Sequence, residues 1–76
     1  MKLSECVKEE RLNKGLTQKE LAKKLKITRE SVIRIESGKK IGNATIKKLA
    51  KFLKKEIYEV VEMIKEEEKG EGNEQS

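Results

Sequence analysis

The chain has 76 residues and a net charge of +5, with 43% charged, 34% hydrophobic and only two aromatic residues. That is enough chain for one domain and too little for a large core, so stability requires well-packed helices or association between chains. The lack of Pro and the scarcity of aromatics favour a small all-α domain with an aliphatic core, and the absence of any His or Asp argues against most metal and acid–base chemistry.

The first helix is expected from a cap at Ser4 to about Lys14, with Gly15 stopping it. Leu3, Val7 and Arg11 share one face, and Cys6 beside them reads as a small buried hydrophobe. Thr17 with Glu20 three residues on is a capping box opening a second helix, whose inward residues are Leu21, Ala22 and Leu25. Thr28 caps a third helix only three residues after Leu25. Two helices joined so closely must cross steeply, the geometry of a helix-turn-helix, with Ile27 plugging the corner.

The third helix is expected over about 29–37, ending at Gly38. At about 100° per residue Val32 and Ile35 point inward. Glu30, Ile33, Arg34 and Ser37 lie opposite them, with Arg29, Ser31 and Glu36 on the flanks. Asn43 signals a cap for a fourth helix carrying Ile46, Leu49, Ala50 and Leu53. The apolar spacing continues through Ile57, Val60, Val61 and Ile64, either as one long helix or as two with a bend near Lys54 and Lys55. Residues 66–76, acidic and poor in core residues, read as a disordered tail beyond a domain of residues 1–65.

The charge is uneven. Residues 1–55 hold 17 Lys or Arg against 6 Glu, and residues 56–76 hold 2 Lys against 8 Glu. A body of +11 points to a polyanionic partner. One cysteine and no apolar leader fit a reducing cytoplasmic setting, and no stretch is long and apolar enough for a membrane span. No cofactor, no metal and no enzymatic activity are expected: a nucleophile needs a neighbouring base, and the glutamates are spread among lysines on polar faces.

Binding remains. The major groove of B-DNA admits one α-helix, Arg meets guanine O6 and N7 with its fork, Glu accepts from cytosine N4, and an apolar side chain can meet a thymine methyl. The outward face of the third helix carries those residue types. The start of the second helix, helped by Gln18, and Lys39 and Lys40 past Gly38 are suited to phosphates.

"GLTQKELAKKLKITRESVIRIESGK", residues 15–39, resembles the helix-turn-helix of the Cro and lambda-repressor-like group, the XRE family. "TIKKLAKFL", residues 45–53, is similar to that family's fourth helix, and the likeness covers about residues 4–61. The resemblance implies a compact bundle of four to five helices that regulates transcription by binding double-stranded DNA, usually as a symmetric homodimer. It places base reading on Arg29, Glu30 and Arg34, with Thr28, Ser31 and Ile33 beside them, and a contact on Gln18. It also implies a buried ion pair between Arg11 and Glu36, which agrees with the faces those residues occupy.

Three departures stand out. Lys26 occupies a turn position where the family usually has Gly, Ile33 a position usually small and polar, and Lys54–Lys55 the usual glycine end of the fourth helix. A left-handed Lys26 would carry strain, which a phosphate contact could offset. Ile57, Tyr58, Val60, Val61 and Ile64 are expected to form a dimer interface. The competing reading is an antitoxin-like or adaptor subunit that uses this stripe to grip a partner protein.

Overall fold

A computed structural model describes the backbone of residues 2–75 and the side chains of residues 2–67. Five helices follow one another: α1 (Leu3–Asn13), α2 (Gln18–Leu25), α3 (Arg29–Glu36), α4 (Asn43–Leu53) and α5 (Ile57–Gln75). They enclose one core in which Val7, Leu21, Val32, Leu49 and Val60 are fully buried, one from each helix. Ile27 packs against that core from the α2–α3 corner.

Local chemistry explains most helix boundaries. Thr17 Oγ1 accepts from the Glu20 N–H at 3.0 Å, and the Glu20 carboxylate accepts from the Thr17 N–H at 2.8 Å. Thr28 Oγ1 accepts from the Ser31 N–H at 3.1 Å.

The C-termini of α1 to α4 share one closure. In each, an amide two or three residues past the helix end reaches back to a carbonyl five positions earlier: Leu16 to Arg11, Ile27 to Ala22, Lys39 to Arg34 and Lys55 to Ala50, all at 2.9–3.0 Å. This closure needs a left-handed residue just before the donor. Gly15 and Gly38 provide it at φ +69° and +78°, but Lys26 and Lys54 provide it at 60° and 56°. The chain therefore breaks at Lys54 and forms two helices there.

A left-handed Lys carries about 1–2 kcal/mol of strain, of which glycine's greater unfolded-state freedom would return about 0.5–1 kcal/mol. Lys54→Gly and Lys26→Gly should thus each stabilise the fold by on the order of 0.5–1 kcal/mol, read as higher melting temperatures by circular dichroism.

Three expectations change. Ser4 is not the cap of α1: Lys2 holds that position, and Ser4 is buried inside the first turn, bonded to Glu67. Asn43 is the first residue of α4 and Gly42 its cap, with no side-chain bond to the amides, because a glycine before the helix leaves nothing to reach back. Helix α5 passes the expected boundary at residue 65, and Glu67 docks on α1. The side chains of residues 68–75, and Ser76 altogether, lie outside the described residues.

Candidate nucleic-acid interface

Helix α3 is held from behind by Val32 and Ile35, both essentially inaccessible to solvent. Burying those two turns the opposite face outward. Arg29, Glu30 and Arg34 are exposed there, with Ser31 and Ile33 half-buried at its edges. Ile33 is not part of the core cluster, so its apolar surface is partly open. Ser31 is less free than its position suggests, because its hydroxyl lies 2.9 Å from Thr28 Oγ1. Arg34 leans toward the following loop, with Nη2 donating to the Lys40 carbonyl at 3.4 Å, a weak bond that competes little with a ligand. Lys39 and Lys40 are exposed beside it.

Behind this face sits a charged cluster that sets its position. Arg11 Nε donates to Glu36 Oε2 at 2.7 Å and Nη2 to Glu36 Oε1 at 3.2 Å, a bidentate pair whose side chains are only 10% and 6% exposed. Arg11 Nη1 donates to the Leu16 carbonyl at 2.8 Å. Gln18 Nε2 donates to Glu36 Oε1 at 3.2 Å. One guanidinium and one carboxylate thus join α1, the α1–α2 loop, the start of α2 and the end of α3. Gln18 is engaged inward by that bond rather than presented wholly to a phosphate, because Glu36 is close enough to need another donor.

Lys26 is exposed in the turn, and its carbonyl accepts from Lys48 Nζ at 3.2 Å. It lines an open groove of about 360 Å³ with Lys24, Lys48, Lys51, Leu25 and Phe52.

The structure adds residues that sequence reasoning missed. Thr45 and Gly42, at the start of α4, line a hollow of about 170 Å³ with Ser31, Arg34 and Lys40. A glycine before a helical pattern is a recognised cap signal and would have marked Gly42; nothing local marks Thr45.

The apolar stripe on α5 divides. Val60 is 0% exposed and belongs to the core of the single chain, so it offers no surface to another copy. Ile64 and Met63 are partly buried against that core. Ile57 and Tyr58 are 47% and 69% exposed, Val61 is half-buried, and Leu12 on α1 is 58% exposed. Helical spacing identified the stripe, but its inward phase depends on how α5 docks against α4.

Burial pushes the Cys6 thiol up from its ordinary value, with Lys55 pulling the other way, so it stays neutral near pH 7 and is a poor nucleophile. Among the described residues no group of His, Cys or Glu is arranged to hold a metal ion, and no helix is long and apolar enough to cross a membrane.

The helix-turn-helix family model matches residues 7–60, which spans α2, α3 and α4 and most of α1. No curated protein and no solved structure gives a significant match. With α2 packed on α3 across a three-residue turn, the outward α3 face and a match over more than half its length, the chain belongs to the XRE helix-turn-helix family, the Cro and lambda-repressor-like group of DNA-binding transcription regulators.

Proposed function

We propose that the protein is a sequence-specific regulator in the cytoplasm that reads the major groove of double-stranded DNA with α3. The observation that carries this is the pair of exposed arginines, Arg34 on the face opposite Val32 and Ile35 and Arg29 on its flank, with Lys39 and Lys40 beside them. Arg29 and Arg34 read guanine edges, Glu30 accepts from cytosine, and Ile33 and Ser31 shape the margin. Thr28, Lys26, Lys39, Lys40 and the remaining amide hydrogen of Gln18 set register through phosphates. The start of α4, which has no side-chain cap, supplies further backbone donors beside Arg34 and Lys40.

The functional unit in this reading is a symmetric dimer that uses Ile57, Tyr58 and Val61, with Ile64 at the edge. It would set two copies of α3 about 34 Å apart on one side of the duplex. The exposure of Ile57 and Tyr58 equally suits an adaptor subunit whose stripe grips a partner protein.

Selection from random duplexes with the purified chain tests the whole reading. Two symmetric half-sites about 10 base pairs apart are expected, and recovery of no preferred sequence would overturn it. Sedimentation of the free chain separates dimer from adaptor. Lys39→Ala should weaken binding on every duplex and reduce the slope of affinity against salt by about 1, measured by fluorescence anisotropy over a salt series.

A further inference from the structure

Glu67 lies on α5, far from α3 in sequence, yet it ends between the first turn of α1 and the loop that follows α3, the latter a part of the proposed DNA-binding face. One carboxylate oxygen accepts from the Ser4 N–H at 3.0 Å and the other from Ser4 Oγ at 2.9 Å. Lys2, at the cap position of α1, has a side chain that only donates. The α1 amide at Ser4 therefore takes its carboxylate partner from 63 residues away.

The same carboxylate lies beside Gly38, two residues past the end of α3. A Cβ built at Gly38 would stand 2.7 Å from Glu67 Oε2 and 3.1 Å from its Cδ. Gly38 is favoured by its left-handed backbone, and any larger side chain there would have to displace the Glu67 carboxylate. The next residues are Lys39 and Lys40, and all three line a groove of about 190 Å³ with Leu3, Ile64 and Glu67.

We propose that Glu67 is a positioning residue for DNA recognition, a clamp through which α5 holds the Gly38–Lys40 loop in its binding shape. This rests on the assignment of that loop and α3 to the DNA face. It adds that the loop's geometry depends on α5, so whatever engages the exposed Ile57 and Tyr58 of α5 is coupled to DNA recognition through one carboxylate.

The sign of the effect distinguishes this role from simple charge. A carboxylate beside a phosphate-binding loop repels DNA, so charge alone predicts that removing it tightens binding on every sequence. A clamp predicts loss on the cognate site.

The test uses the full chain with Glu67→Gln, Ser4→Ala and the double variant, each shown to be folded at the assay temperature. Glu62→Gln, which removes the same charge from an exposed position on α5, is the control. Binding is measured on the selected operator and on random duplex, and amide exchange is followed at Ser4 and residues 38–41.

The operator-to-random affinity ratio should fall about 10-fold for Glu67→Gln, with the double variant close to the single and the control unchanged in that ratio. Exchange should quicken at Ser4 and through the loop together. A folded Glu67→Gln protein that binds both duplexes like the control, or loses equally on both, overturns the proposal. So does unchanged exchange in the loop, and that readout stands even if no operator is found, a result that would remove the DNA assignment instead.

Discussion

Replacing Glu36 with Ala should destabilise the fold by about 3–5 kcal/mol, because it strands the Arg11 guanidinium in a site only 10% exposed. Both Nε and Nη2 of Arg11 would lose their acceptor, and the Leu16 carbonyl alone would remain. Gln18 would lose the same partner. In a chain this small, whose whole stability is on the order of 5 kcal/mol, most molecules would be unfolded or close to it at ambient temperature. Thermal melts should show the midpoint lowered by on the order of 15 °C or more, or no cooperative transition. The double replacement Arg11→Met with Glu36→Leu should recover much of the loss, since apolar residues of similar size avoid both the pairing and its desolvation. A Glu36→Ala protein that melts like the wild type would show that the pair contributes no net stability.

Arg29→Ala and Arg34→Ala should do the reverse, leaving the fold intact while weakening recognition. Both side chains are exposed, so each change should alter stability by no more than about 0.5 kcal/mol. On the selected operator each should cost about 1–3 kcal/mol and relax the preference at one base position. Arg34→Ala also frees the Lys40 carbonyl, so it should show a smaller second effect on random duplex that Arg29→Ala lacks. Titrations on the operator and on single-base variants separate these cases. If both proteins keep wild-type affinity and preference, α3 does not read bases with this face.

The two results together locate the division of labour at the end of α3. Glu36 faces back into the Arg11 cluster, while Arg34, two residues earlier, faces out. Such a short helix can serve both purposes because a step of two residues turns about 200° around its axis. Stability and the proposed recognition therefore use opposite faces of α3, and substitutions on the exposed face should leave stability nearly untouched.

Which features the sequence reveals depends on how local their cause is. The Thr17–Glu20 box, the Thr28 cap and the glycine stops at 15 and 38 each depend on atoms within about one helical turn, so residue types at short spacing specify them. The inward set Leu21, Val32, Ile35 and Leu49 follows from helical period, because each short helix carries most of its apolar residues on one face, Ile33 being the exception on α3. The outward face of α3, with Arg29 and Arg34, is the complement of that set and was legible for the same reason.

The tertiary structure decided what covers each face and which distant groups meet. Ser4 reads locally as a cap, but α5 brings Glu67 to it and the helix begins earlier, because a carboxylate arriving from elsewhere meets the amide that a cap would have served. Val60 and Ile57 fit one stripe, yet the docking angle of α5 buries the first completely and leaves the second open. Lys54 has no local preference for a left-handed backbone and adopts it because both α4 and α5 must lay their apolar sides on the same core. The sequence by itself determined the helical patterns, the caps of α2 and α3 and an arginine-bearing face. Packing over long separations, which residue spacing does not encode, decided how α5 docks and therefore which of its apolar side chains stay exposed.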